Sequence, residues 1–457
     1  MSRTRRSRIK SPWSRAMELA ERTPGARNRY VDFLRAASIA AVVIGHWMVA
    51  SPFVTGGKLE LGNMLDIAPW SRWLSWGFQV MPIFFIVGGY SNGASWEAAR
   101  RDGVGYGLWT ATRLKRLIGP ILPLILVWSV MGLIATRLDV DPQTIRIGSQ
   151  VALIPTWFLA VYVVVVVLAP ATHAAWRRFG LGSFVALALG AVIVDALAFA
   201  GGLSWLRWAN YAFVWLGVHQ VGYMWRDGWF AGAARALAWS AGALAVLVFL
   251  VTVASYPVAM ISVPGEEVSN SRPPTLAMFA LGIFHGGLVL ALEAPLRRWL
   301  RRLRPWAATV LVNGSIMTLY LWHVTVMALL VGLLYQLGGI GMTLQPGSAL
   351  WWVTRPVWIA FLAAVLMVFI AIFGRFEHTA RSDAASALPG WRAVTGSLLV
   401  CAGLTALALE GIGSESWPGI RVWTVATVFA GAALALGLPR LRGGAPRGRP
   451  VRNDVRR

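Results

Sequence analysis

Cysteine is almost absent from this chain of 457 residues: Cys401 is the only one. That excludes an intrachain disulfide and any multi-cysteine metal site. Charge is scarce too, at 13% of residues, where a soluble domain carries about 25%. Lysine is nearly missing, appearing only at 10, 58 and 115, and acids number 19 against 42 basic residues. No HxxxH or HxH pair is present, so a histidine metal site is not indicated. A G-x-S-x-G elbow and a P-loop are missing as well, which disfavours a serine hydrolase and a nucleotide-driven pump. No stretch between apolar segments is long enough for a soluble catalytic domain. What remains is apolar: 57% hydrophobic residues and a mean hydropathy of +0.61. The class this defines is an all-α, polytopic transmembrane helical bundle.

Twelve segments are long and apolar enough to cross a bilayer: 33–50, 73–94, 117–136, 151–170, 182–201, 205–225, 236–255, 273–293, 309–335, 351–373, 393–410 and 420–438. The loops between them alternate in charge. One set holds Arg100, Arg101, Arg113, Lys115 and Arg116, then Arg177 and Arg178, Arg226 and Arg235, the run Arg297 to Arg304, and Arg375, Arg381 and Arg392. The other is neutral or acidic, with Glu60, Asp66, Asp139, Asp141, Glu266, Glu267, Glu410 and Glu415. The positive-inside rule then puts both termini in the cytoplasm. The net charge of +23 belongs to helix ends and tails and does not indicate nucleic acid. The basic cluster Arg3 to Lys10 reads as a cytosolic tail, since the apolar region follows too late for a cleavable signal peptide. The segment after Pro439 reads as disordered. The domain plan is therefore a basic tail (1–30), a membrane domain (31–375), additional C-terminal helices (376–438) and a second basic tail (439–457). Many of the 25 tryptophans, including Trp70, Trp73, Trp76, Trp351 and Trp352, fall near expected interfaces and read as an aromatic belt. Cys401 lies in an apolar run and reads as an inert buried thiol.

The first apolar segment carries two ionisable groups, Arg35 and His46. Eleven residues apart on a helix, they share one face and are separated by about 16 Å along the axis. Intramembrane ionisable groups are costly and usually face a protein interior or a wet cavity. Arg35 cannot touch His46, so the two need separate roles. His46 lies about two-thirds of the way across, where a neutral imidazole can accept a proton from a hydroxyl. Arg35 lies near the cytoplasmic surface, suited to an anionic or carbonyl group, with pairing to Asp32 at i+3 as its structural alternative. His323 is expected at the same depth as His46, with Tyr320 one turn away. His219, His285 and Asp195 are also intramembrane, and buried polar pairing explains them as well as a site does. His173 and His378 read as solvated loop histidines, and Glu266 and Glu267 as a solvated acidic loop. Arg113 and Arg116 lie in the loop after the second segment.

These residues occur in four stretches, 30–46, 78–91, 113–123 and 319–324, that resemble the acyltransferase-3 family of integral-membrane O-acyltransferases. The resemblance rests on Asp32, Arg35 and His46, on Val80-Met-Pro-Ile-Phe-Phe-Ile-Val-Gly-Gly-Tyr90, on Arg113-Leu-Lys-Arg116, and on Leu319-Tyr-Leu-Trp-His323. It covers roughly 30–375. Many relatives have serine where this chain has Gly88. The resemblance implies transfer of an acyl group, acetyl by default, from cytoplasmic acyl-CoA to a hydroxyl of a carbohydrate, glycolipid or glycoside at the membrane or its outer face. It implies His46, His323 and Tyr320 as catalytic residues and Arg35, Arg113 and Arg116 as donor contacts. No permanently bound cofactor and no metal are expected. The setting is a multi-pass protein of the cell membrane. The competing reading, from span number and intramembrane His and Asp alone, is a proton-coupled secondary transporter.

Overall fold

The computed structural model describes residues 11–25, 27–377 and 389–437. The expected basic clusters at Arg3 to Lys10 and beyond Pro439, together with His378 and Arg381, lie outside the described residues.

A short surface helix, α1 (Pro12–Glu21), packs through Ala20 on Trp306. It precedes α2 (Arg29–Val49), whose start is fixed by Asn28: its side-chain oxygen accepts from the backbone N–H groups of Tyr30 and Val31. An antiparallel hairpin follows, β1 (Ala50–Thr55) and β2 (Lys58–Asn63), in the register Ala50↔Asn63 to Thr55↔Lys58. Gly56 and Gly57 close it with φ values of +55° and +77°, a conformation that a two-residue hairpin turn demands and glycine supplies. It is a small addition to an otherwise helical chain, and the Gly56-Gly57 pair marks its turn. Short helices α3 (Met64–Ile67) and α4 (Ser75–Phe78) lead to α5 (Met81–Arg101). Segment 73–94 is therefore not one helix. The chain breaks at Gln79 and Val80 and restarts with Pro82 in the first turn, where a missing N–H costs nothing.

The bundle continues with α6 (Tyr106–Ile118), α7 (Ile121–Arg137), α8 (Pro142–Ala152), α9 (Thr156–Phe179), α10 (Leu181–Phe199), α11 (Asn210–Arg226) and α12 (Ala233–Thr252). Then come α13 (Leu276–Ala291), α14 (Glu293–Trp299), α15 (Leu303–Asn313), α16 (Ile316–Gln336) and α17 (Ala349–Phe373). The expected span 309–335 is split at Gly314 and Ser315 between α15 and α16. Finally α18 (Gly390–Glu410) and α19 (Val422–Leu436) form a helical pair. Small residues let these two approach: a Cβ on Gly396 would lie 2.4 Å from the Ala435 nitrogen. The pair leans on α9, where the half-buried Cys401 thiol donates to the Ala160 carbonyl at 3.2 Å.

Among the described residues seven helices are long and apolar enough to cross a membrane, or nine if the bent pairs α6–α7 (42°) and α13–α14 (51°) each count once. The remaining three of the twelve expected segments are also helical, but α5 carries Asn92, Glu97, Arg100 and Arg101, while α11 and α19 are only 17 and 15 residues long. The polar α5 and the short α11 form the buried centre. They cross backbone to backbone at Gly89 and Gly222, where an added Cβ would lie 1.9 Å and 2.2 Å from carbonyl oxygens of the facing helix. Asp195 ties α10 to this centre, accepting from Asn210 (2.7 Å), Tyr256 (2.9 Å) and the Leu276 N–H (2.7 Å). A structural role accounts for it in full.

Several polar residues sit elsewhere than their sequence context implied. His173 is not a solvated loop residue: it is buried on α9 and contacts Glu97 at 3.0 Å, and Glu97 also accepts from Arg226 at 2.6 Å. Glu266 is not simply solvated but pairs with Arg72 at 3.0 Å. Trp70 and Trp73 are exposed as a belt requires, whereas Trp351 is buried, at 1% exposure.

Candidate active site

Two ends of the bundle can be told apart. The ends of α5 and α9 and the junction of α14 with α15 carry the arginine runs; the hairpin, α3 and α4 mark the other. His46 lies in the last turn of α2, about 26 Å from the helix start and close to the hairpin end. It is roofed by segments 63–79 and 261–272, which line a cavity of about 460 Å³ together with His46, Pro155, Trp157 and Tyr320. The lining is largely apolar.

His46 Nδ1 is 2.7 Å from His323 Nε2, and the rings are nearly parallel at 8°. His323 is fully buried, and its Nδ1 lies 2.7 Å from the Tyr320 carbonyl oxygen. A carbonyl can only accept, so His323 Nδ1 carries the hydrogen. In a neutral ring its Nε2 is then an acceptor, and His46 Nδ1–H donates to it. The remaining lone pair of a neutral His46 is on Nε2, which makes no hydrogen bond within the described residues and belongs to a side chain lining the cavity. The two histidines thus form an ordered chain that ends in one free base. It is held from both sides. Trp47 Nε1 donates to the His323 carbonyl at 3.0 Å, joining α2 to α16. The Tyr320 hydroxyl donates to the Pro155 carbonyl at 2.7 Å, joining α16 to α9. Further down α16, Glu377 accepts from the Met317 N–H (2.6 Å) and from Thr318, capping the helix that carries His323.

The arginines assemble separately. Arg35 donates to the Ser91 hydroxyl at 2.9 Å, and Arg113 donates to the Ser91 carbonyl at 3.2 Å, so both guanidinium groups converge on one residue of α5. Asp32 is shared between two cations: the expected i+3 pairing with Arg35 is present but long, at 3.9 Å, while Arg27 holds the other oxygen of Asp32 at 2.6 Å. Arg113 has no carboxylate partner among the described residues. It leans on Trp109 and has Arg35 and Arg116 as like-charged neighbours. Arg113 and Arg116 lie on helix α6, not in a loop as the sequence suggested, and Arg116 is exposed. The result is a concentration of cations short of anions, a place where phosphate is favoured. A second cavity at this end, of about 630 Å³, differs: its Arg226 and Arg297 are already paired with Glu97 and Glu293.

Between the two clusters stands Tyr162 of α9, which the sequence did not single out. Its ring packs on Phe84, Phe85 and Phe158, it neighbours Arg113, and its hydroxyl lies against Gly88. A Cβ at position 88 would be 2.7 Å from that hydroxyl oxygen. The phenol therefore fills the space that a side chain at position 88 would need. Ser91 and Trp47 were also missed, although they directly follow Tyr90 and His46 in the sequence. His219 and His285 take no part: they contact Asn92 at 3.2 Å and the Trp76 carbonyl at 2.7 Å. Among the described residues no group of histidines, cysteines and acids could hold a metal ion.

The arrangement can do two things: bind an anion at one end and abstract a proton about 16 Å away at the other. A family model described as an acyltransferase domain (Acyl_transf_3) matches residues 28–376, from just before α2 to just after α17. Neither curated proteins nor solved structures match the chain.

Proposed function

The chain belongs to the acyltransferase-3 family of multi-pass membrane proteins, and from that premise we propose that it is an O-acyltransferase using acyl-CoA as donor and His46 as general base. The observation that carries this reading is the ordered chain from the Tyr320 carbonyl through His323 to His46, which leaves a single unprotonated nitrogen beside a cavity.

In this reading the arginine-rich end faces the cytoplasm, as the charge of the loops implies, and both termini lie on that side. Arg35 and Arg113 hold the phosphates of the donor, and Arg116 adds charge at the entrance. The narrow thioester arm runs past Tyr162 towards His46. An acceptor hydroxyl enters the cavity of about 460 Å³ and donates to His46 Nε2. The hydroxyl oxygen attacks the thioester carbonyl carbon while Nε2 takes its proton. His323 accepts from Nδ1 and stabilises the imidazolium that forms. The tetrahedral intermediate then collapses, the C–S bond breaks, and the thiolate recovers the proton from Nε2. One ester and one free thiol result. Tyr320 positions His323 through its carbonyl and anchors α16 through its hydroxyl.

Acetyl is the proposed group, and a carbohydrate, glycolipid or glycoside hydroxyl the proposed acceptor. Mass spectrometry of envelope glycans and glycolipids from cells with and without the gene tests this. The expected result is a mass difference of one acyl group on a hydroxylated species. Identical profiles, with the protein present in the membrane, would reject the proposal.

A further inference from the structure

One buried cation near the His46 cavity takes no part in the proposed reaction. Trp351, Arg355 and Trp358 occupy positions i, i+4 and i+7 of α17, so they share one stripe of that helix. Most of α17 faces outward, yet Trp351 and Arg355 are buried, at 1% and 6% exposure. The Arg355 guanidinium carbon stands 4.0 Å over the Trp351 ring and 5.8 Å from that of Trp358.

Every polar group of the stripe is a donor. Trp351 Nε1, Arg355 Nε and Trp358 Nε1 are enclosed and have no hydrogen-bond partner. Among the described residues no carboxylate forms an ion pair with Arg355 and no acceptor bonds it. Its terminal nitrogens are not among the enclosed atoms, which leaves the planar fork an opening. Ionised side chains within membrane segments normally find a counter-charge. Stacking on indole offsets only part of the cost of an unpaired buried charge, and enclosed N–H groups without acceptors are rare. What this stripe lacks is an anion with several acceptor oxygens.

Its position narrows the choice. Arg355 lies six residues past the start of α17, about 9 Å along the helix from the hairpin end. That is the depth at which an arginine reaches a lipid headgroup. Trp351 packs on Met64 and Ala68, and Met64 and Trp352 line the His46 cavity. We propose that Trp351, Arg355 and Trp358 form a binding site for the phosphate of a membrane lipid, set beside the cavity that holds His46. The guanidinium fork takes two phosphate oxygens, the indole N–H groups supply further donors, and the rings provide an apolar wall.

The lipid is either a glycerophospholipid of the bilayer or a polyprenyl phosphate, and titration separates the two. Full-length protein in detergent is titrated with dioleoyl phosphatidylglycerol, polyprenyl phosphate, dioleoylglycerol and inorganic phosphate, with lipid-bound species read by native mass spectrometry. At least one phosphorylated lipid should bind at a single site, about tenfold or more tighter than dioleoylglycerol, and Arg355→Gln should abolish that preference. Trp358→Phe keeps an aromatic side chain, loses one donor and should weaken binding severalfold, so a poorly folding Arg355→Gln leaves the test intact. The lipid that shows the preference identifies the source. Dioleoylglycerol binding as well as both phosphorylated lipids would overturn the proposal. So would wild-type binding by the variants, or Arg355-dependent binding of inorganic phosphate alone. Acyl transfer is not measured, so the outcome is independent of the proposed enzyme reaction.

Discussion

Replacing His323 with alanine isolates the contribution of the histidine chain. The substitution removes the acceptor 2.7 Å from His46 Nδ1 and leaves the His46 ring in its cavity. In the resting enzyme that bond is neutral. Once His46 has taken the acceptor's proton, it becomes a hydrogen bond from an imidazolium, worth about 1.5–3 kcal/mol. At about 1.4 kcal/mol per factor of ten, the loss should lower kcat by about 10- to 150-fold, with little change in the KM for acyl-CoA, whose phosphates sit far away. His46→Ala, which removes the base itself, should cost more, about 100- to 10,000-fold. The double variant should be no worse than His46→Ala alone, because both act on one proton. The assay is thiol release from acetyl-CoA by purified protein in vesicles containing native envelope lipid. Thermal unfolding in parallel separates a folding defect from a chemical one. Wild-type kcat in a folded His323→Ala would refute the relay, and so would additive losses in the double variant.

Arg113→Ala and Arg35→Ala should each raise the KM for acyl-CoA by about 10-fold or more while kcat stays within a few-fold, and wild-type KM should rise with salt; unchanged KM values would remove the donor-phosphate assignment. Gly88→Ser should destabilise the fold by about 1–3 kcal/mol through collision with the Tyr162 hydroxyl and ring edge, 2.7 and 2.9 Å from a Cβ at that position, and Tyr162→Phe, which removes only the hydroxyl, should relieve part of that loss in the double variant, as read by Tm. Gly89→Ala sets a Cβ 1.9 Å from the His219 carbonyl oxygen, where only backbone can move, so it should abolish recoverable folded protein, measured by monodisperse yield after extraction.

The membrane class and the two intramembrane histidines His46 and His323 were legible because each rests on local chemistry. Long apolar runs announce spans, and an imidazole in such a run stands out whatever surrounds it. The convergence of His46 with His323 was partly legible, since both fall at one depth in their segments. The 2.7 Å contact and the tautomer it enforces were not, because they depend on how α2 and α16 rotate against each other. Arg113 was seen as a charge, but its meaning comes from Ser91, which brings it towards Arg35 across three helices. Tyr162 carried no signal at all: a tyrosine among valines reads as packing, and only the missing side chain at Gly88 reveals where its hydroxyl goes. His173 was misread for a related reason. Charged neighbours in sequence suggested a loop, whereas Glu97 and Arg226, far away in the chain, give it a buried site. The hairpin was missed because it is short and sits between two strong helical segments, although Gly56 and Gly57 mark its turn.

In the proposed reaction one imidazole nitrogen in the membrane takes the acceptor's proton. Parallel measurement of acetyl-CoA binding and of radiolabelled acetyl transfer into envelope lipid and glycan by folded His46→Ala protein tests it most directly. Binding should stay within about twofold of wild type, and transfer should fall by about 100-fold or more. Transfer at the wild-type rate, with binding intact, would contradict the proposed reaction.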